Sequence, residues 1–342
     1  MADPVALYPL ARTPLRGLTR RAIAIPGYAL AWLLALGLAP VALPLLALAD
    51  RRSGRHTARA RLWLASVVFL SYELVGLAAA FGLWLAALFV RGLRGARWQS
   101  AHRALQAWWA NGLFRAASRI LRLELEVEGA HACAPGPLLV LVRHASLADT
   151  LLPAVVVAPR GIALRYVLKR ELLWDPCLDV VGQRLPNAFI QRGTGESQSE
   201  LAQIAALGRG LGAGDGVLIY PEGTRFSAAR RARGLERIAA SGRPELLARA
   251  QALRGVLPPR TAGVLALLDA APDADVLVLA HTGLEGLATL PDLLRLGASP
   301  RRIRVRLWRV PRAAIPLERD ARVRWLYAEW ARVDAFVAGS AP

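Results

Sequence analysis

The chain has 342 residues, is 55% hydrophobic with a mean hydropathy of +0.34, and carries 44 lysine plus arginine residues against 25 acidic ones, a net charge of +19. So apolar a composition is high for a soluble enzyme and puts membrane segments first in the search; the charge excess points to an anionic partner such as lipid headgroups, nucleic acid or an acidic protein, and the hydropathy favours lipid. The two cysteines, Cys133 and Cys177, lie far apart without a CxxC or a Cys/His pairing, so neither a zinc site nor a disulfide framework is indicated.

Residues 22–49 contain no charge and are long enough to cross a hydrocarbon core, which needs about 20 apolar residues. Pro26, Pro40 and Pro44 should interrupt that stretch. Residues 62–90 carry one charge, Glu73, and Trp63 and Trp84 near the ends suit a membrane interface. A carboxylate in hydrocarbon costs about 2.5–3.5 kcal/mol on insertion scales, so Glu73 is expected to pair with an arginine or lie near the surface. The two stretches read as retained membrane helices, either a spanning hairpin or a pair embedded in one leaflet. Arginines crowd both flanks, so charge bias does not fix the orientation.

The composition changes after Val90, which divides the chain into an anchoring region, 1–99, and a second region, 100–342. Residues 100–122 read as one amphipathic helix, and "LELEVEG" alternates as a half-exposed strand does. Short apolar runs at 138–142, 164–168, 187–190, 217–220 and 276–280 read as strands, with helical sequence between them. "RIRVRLWRV" alternates arginine with apolar residues. The expected fold is α/β, a mixed sheet flanked by helices and preceded by the pair of hydrophobic helices. "GRGLGAGDG", 208–216, precedes a strand where a dinucleotide fingerprint would follow one, so it is read as a helix stop and turn. Arg230, Arg231 and Arg233 are read as a solvated loop.

Two places have the residue types for chemistry. His144 follows the strand at 138–142 and opens a helix, and Asp149 lies within reach of one imidazole nitrogen, leaving the other to take a proton from an alcohol. The same spacing from Ser146 to Asp149 is also a capping-box pattern. Pro221-Glu222-Gly223-Thr224-Arg225 leaves the end of the strand at 217–220: glycine permits close backbone approach, threonine supplies a hydroxyl, and arginine a phosphate-matching fork. A plain turn with a surface arginine is the alternative. His56, His102, His131 and His281 have no partners at metal-binding spacing and receive no role.

His144-x4-Asp149 followed by Glu222-Gly223-Thr224-Arg225 resembles the HX4D and EGTR motifs of the glycerolipid acyltransferases, whose bacterial prototype makes phosphatidic acid from lysophosphatidic acid. "LKRELLWDPCLDVVGQRLPNAFIQRG" is similar to that family's segment between the two motifs, ending in Phe189-Ile190-Gln191-Arg192. "RGVLPPRTAG", 254–263, resembles the fourth block of a lysophospholipid acyltransferase subgroup with bacterial inner-membrane members. The chain departs at Arg143, where the family often has asparagine.

The resemblance implies acyl transfer from acyl-CoA or acyl carrier protein to a lysophospholipid hydroxyl, foremost lysophosphatidic acid, with no cofactor and no metal. It assigns His144 as base and Asp149 as its support. Arg192 and Arg225 grip the acceptor phosphate, Gly223 and Thr224 shape the pocket, Glu222 orients Arg225, and Arg260 is a further substrate-binding candidate. It implies an inner-membrane protein with its catalytic domain facing the cytoplasm and membrane lipids as partners. Rival readings keep the chemistry on another lysolipid or glycerol 3-phosphate, or make the chain a noncatalytic binder of anionic lipid or RNA. Nucleic acid is disfavoured, because no interleaved aromatic and basic stacking platform is visible.

Overall fold

The computed structural model describes residues 14–54, 58–90, 95–191, 197–287, 292 and 300–339. The chain forms two compact units, Met1–Glu124 with Leu168–Gln191 and Leu290–Arg301, and Leu125–Val167 with Arg192–Thr289 and Arg302–Pro342.

The first unit is dominated by α1 (Pro14–Arg52), α2 (Ala58–Phe89) and α3 (Gly95–Leu121). The first two are long and apolar enough to cross a membrane by length and composition, a weak pointer to membrane association. The expected interruption of α1 does not occur: the helix runs through Pro26, Pro40 and Pro44. Apolar surroundings favour continuity because a helix is the cheapest way to satisfy backbone groups without water, and nearby donors take up carbonyls beside a proline. Trp63 Nε1 of α2 donates to Ala35 O, 3.2 Å away, next to the Leu36 carbonyl that Pro40, having no N–H, leaves without its helical partner. Asp50, buried at the end of α1, accepts from the N–H of Arg59 at 2.7 Å and so caps α2.

Glu73 also differs from expectation. It is fully buried, and it accepts from Trp109 Nε1 at 2.9 Å and Cys177 N at 3.2 Å, with no arginine partner among the described residues. Gly112 of α3 faces the Tyr72 ring so closely that a Cβ would sit 2.3 Å from it, so α2 and α3 pack through a small residue. α5 (Pro176–Val180) is tied to the start of α1 by Asp179, which accepts from Arg20 Nη2 at 2.7 Å and Arg21 Nε at 3.0 Å.

The sheet is mixed and seven-stranded, in the order β1-β7-β6-β2-β5-β3-β4: β1 (Leu123–Glu128), β2 (Leu138–Val142), β3 (Ala163–Lys169), β4 (Ala188–Ile190), β5 (Asp215–Ile219), β6 (Asp275–Thr282) and β7 (Arg301–Val310). β2 is central, parallel to β5 on one side and β6 on the other. All five of its residues are buried, as expected for a strand covered on both faces. β7 pairs antiparallel with β6; its arginines meet acids on β1, Arg302 with Glu126 at 3.0 Å and Arg306 with Glu128 at 2.9 Å.

The flanking helices are α4 (Leu152–Val156), α6 (Gln198–Gly208), α7 (Ala228–Ala240), α8 (Pro244–Ala252), α9 (Thr261–Ala270) and α10 (Arg319–Ala338). Arg230, Arg231 and Arg233 therefore lie in a helix, α7, and not in a loop. Ser227 caps it by accepting from Arg230 N, and the run of alanine and arginine has high helix propensity. Arg231 donates to Leu253 O and Gln251 O.

Candidate active site

The sheet reverses direction of travel at β2, and in such sheets the crevice lies beyond the carboxyl ends of the parallel strands. His144 leaves the end of β2, residues 221–225 leave the end of β5, and His281 sits near the end of β6.

His144 Nδ1 lies 3.0 Å from Asp149 Oδ1. Asp149 is fully buried in a 3-10 turn, Ala148–Leu151, and its Oδ2 accepts from the N–H of Ala145 at 2.6 Å and Ser146 at 2.7 Å. Ser146 Oγ in turn accepts from Ala148 N at 3.1 Å. The capping and imidazole contacts, alternatives in the sequence, thus coexist because a carboxylate has two oxygens: one closes the turn and the other meets the ring. Burial alone would raise the Asp149 pKa. The hydrogen bonds and electrostatic pull of the His144 and His281 rings overcome it and hold the carboxyl well below the usual carboxylate range. Asp149 is therefore an acceptor at neutral pH, which fixes the His144 proton on Nδ1 and leaves Nε2 as the basic nitrogen. Nε2 has no hydrogen-bond partner among the described residues, and 10% of the side chain remains exposed. The Tyr220 ring, 4.6 Å away between centroids, packs against the imidazole.

Glu222 is placed differently from the sequence expectation. Its Oε1 accepts from His144 N and its Oε2 from Leu257 N, both at 2.8 Å, and the residue is 2% exposed. The carboxylate ties the His144 backbone to the 254–260 segment, and no hydrogen bond to Arg225 is seen. Burial pushes its carboxyl up to about 8, against the downward pull of the two amides and of Arg143.

Gly223 has a φ of 69°, the left-handed region, and a Cβ there would lie 2.8 Å from Arg260 Nε, so glycine is required both by the turn and by the arginine crossing over it. Arg260 N donates to Pro221 O at 2.8 Å, and Phe226 N donates to His144 O at 2.9 Å. Thr224 and Arg225 are partly buried on the same loop. Arg192 lies outside the described residues.

Arg143, at the family's asparagine position, is 1% exposed. Its guanidinium donates to His281 O at 2.6 Å, to Gly255 O at 3.0 Å and to Glu285. A longer, forked donor here stitches three segments behind the histidine. Metal-type spacing gives His281 no role in the sequence, because its partners lie 132 and 138 residues away. It is fully buried, with Nε2 3.1 Å from Arg143 O and 3.5 Å from Asp149 Oδ2. The available signal was a polar ring closing an apolar strand, as at His144.

Residues 124–276 match the family model described as Acyltransferase. The matched segment is similar to an acyltransferase domain. It spans β1 through the start of β6 and includes His144, Asp149 and the 221–225 loop. The crystal structure of the 1-acyl-sn-glycerophosphate (LPA) acyltransferase PlsC from Thermotoga maritima is similar to 77% of this chain over 97% of its own, at 16% identity and a TM-score of 0.48. No curated protein matches the chain in sequence.

Proposed function

We propose that this acyltransferase moves a fatty acyl group from acyl-CoA or acyl carrier protein to the free hydroxyl of a lysophospholipid, with lysophosphatidic acid as acceptor and phosphatidic acid as product. The observation that carries the reading is the His144–Asp149 pair at 3.0 Å, set in a domain that matches the Acyltransferase family. His144 Nε2 takes the hydroxyl proton as the acceptor oxygen attacks the thioester carbonyl. The C–S bond then breaks, and the departing thiolate takes the proton back from the imidazolium. Asp149 holds the tautomer and offsets the imidazolium charge. Such general-base help is worth about 10²–10⁴ in rate. No cofactor or metal enters the scheme.

Arg225 and Arg192 are proposed to hold the acceptor phosphate, with Gly223, Thr224 and Arg260 shaping the pocket. Glu222 acts behind them through the backbone. The proposed setting is the bacterial inner membrane, with the catalytic domain on the cytoplasmic side. Large apolar side chains exposed along α1, among them Leu30, Leu33, Leu34 and Leu45, support insertion in lipid. The α1 length of 39 residues, about 58 Å, exceeds the hydrocarbon core of about 30 Å, so the helix would tilt or extend into the headgroups.

The test is transfer of labelled acyl groups from both donor types to a panel of lysophospholipids and glycerol 3-phosphate, by wild type and His144→Ala. The wild type should favour lysophosphatidic acid, and His144→Ala should be inactive yet folded and membrane-bound. An active His144→Ala enzyme overturns the mechanism.

A further inference from the structure

Asp149 is surrounded by four N–H groups: the amides of Ala145 and Ser146, and the rings of His144 and His281. Three of them come from its own turn. The fourth comes from β6, 138 residues beyond Arg143. His281 is the penultimate residue of a strand in which Val276 to Ala280 are all apolar and fully buried, so a further aliphatic side chain would pack there without desolvating a ring. Nδ1 of His281 is buried without a hydrogen-bond partner among the described residues. A histidine with one nitrogen stranded is a cost to the fold, and buried polar groups of that kind call for an explanation.

The tautomer follows from the partners. Nε2 faces two atoms that only accept, the carbonyl of Arg143 at 3.1 Å and the ionised Asp149 Oδ2 at 3.5 Å. The proton is therefore on Nε2, and the stranded Nδ1 carries the lone pair. The longer distance is an electrostatic contact shared with the carbonyl bond, not a full hydrogen bond. The ring is itself clamped, because the Arg143 guanidinium donates back to His281 O at 2.6 Å while the Arg143 carbonyl receives the His281 proton.

We infer that His281 is a positioning residue of the transfer site: its clamped Nε2–H faces Asp149 Oδ2 from β6, so that Oδ1 stays on the His144 ring. The inference rests on the acyl-transfer reading for its effect on rate, but not for its geometry. Arg143 belongs to the same device, because its carbonyl accepts from the His281 ring while its guanidinium holds the His281 main-chain carbonyl. An asparagine at position 143 would keep the carbonyl and lose the reach to His281 O and Gly255 O.

Two variants and one spectrum test it. His281→Phe keeps a flat ring of similar size and removes the donor. His281→Gln keeps an N–H near the Nε2 position. His281→Phe should lower kcat about 10–100-fold, the usual effect of removing an outer partner that orients a site residue, with KM for acceptor and donor unchanged. His281→Gln should recover most of it. In 15N-histidine-labelled protein, His281 should appear as the neutral Nε2–H tautomer and His144 as Nδ1–H, assigned by comparison with His281→Gln and His144→Ala. A kcat unchanged in His281→Phe, an equal loss in both variants per folded molecule, or His281 as the Nδ1–H tautomer overturns the inference. Should His281→Phe fail to fold, the glutamine variant and the spectrum still decide. If the wild type acylates no acceptor, the acyl-transfer reading falls by itself, while the spectrum continues to judge the His281 arrangement.

Discussion

The loops that follow β2 and β5 each carry one buried carboxylate, Asp149 and Glu222, and each carboxylate receives two main-chain N–H groups. Asp149 takes both amides on a single oxygen, Oδ2, which leaves Oδ1 to the His144 ring. Glu222 takes one amide on each oxygen and has neither left for a side chain. The first arrangement puts a negative charge where a ring gains a proton during reaction. The second fastens two backbone segments together. Identical chemistry on neighbouring strands thus divides into a charge for catalysis and a brace for shape, according to how the donors are distributed over two oxygens.

Amidating each carboxylate breaks the comparison in different ways. The largest effect is expected for Asp149→Asn. The amide oxygen would keep the Ala145 and Ser146 bonds, so the amide nitrogen would face His144 Nδ1 and donate to it. That forces the proton to Nε2 and removes the base. Turnover per folded molecule should fall about 10⁴-fold, as when the aspartate of a hydrolase triad is amidated and the histidine takes the wrong tautomer, and the melting temperature at neutral pH should fall as the ionised carboxylate is lost. A further difference should appear in acid. Because the Asp149 pKa in the folded protein is depressed, its stabilising contribution is complete above the unfolded value of about 4 and is lost as pH falls toward the folded one. The asparagine variant should lack that part of the acid slope in melts from pH 6 to pH 3. Retained turnover in Asp149→Asn would reduce the residue to a cap.

Glu222→Gln should act on stability first. One of the two amides, at His144 or Leu257, would face an amide nitrogen in place of an oxygen, which costs about 1–3 kcal/mol for a buried donor left unsatisfied. Here the pH dependence has the opposite sign. Burial raises the folded pKa to about 8, so the stability linked to the protonated carboxyl is complete below the unfolded value of about 4 and is lost as pH rises through 8. The gap between wild type and Glu222→Gln should therefore narrow from pH 5 to pH 9 in parallel melts. A gap independent of pH would mean that Glu222 remains ionised throughout and that its two amides outweigh burial.

How far these differences were legible in the sequence depended on the range of the interaction. The strand at 138–142 could be read residue for residue, since a run of branched apolar residues ending at Arg143-His144 needs only local information. The mixed sheet with flanking helices followed from the same alternation. The continuity of α1 through three prolines did not, because it depends on what surrounds the helix. The α7 helix was missed although Ser227 and the alanine-arginine run announced it; charge density was weighed above propensity. Glu222 has its brace partner 35 residues away at Leu257, and His281 has its clamp at Arg143, so neither role is visible at motif distance.

The smallest effect sharpens the contrast within the β5 loop itself, between a glutamate that acts through the backbone and an arginine two residues on that is proposed to act through substrate. Arg225 is partly buried, and its pKa is lowered by burial first and then by Arg230, against the opposing pull of the Asp149 charge. Lysine at this position keeps a positive charge and loses the planar fork that matches a phosphate. Arg225→Lys should therefore leave stability and donor KM near wild type and raise the KM for lysophosphatidic acid about tenfold, the equivalent of about 1.4 kcal/mol. An acceptor without a phosphate monoester should feel the change less. Varying acceptor at fixed donor, and donor at fixed acceptor, separates the two sides. Damage confined to the donor side would move Arg225 to the coenzyme or carrier phosphate and leave the acceptor headgroup to be held by other residues.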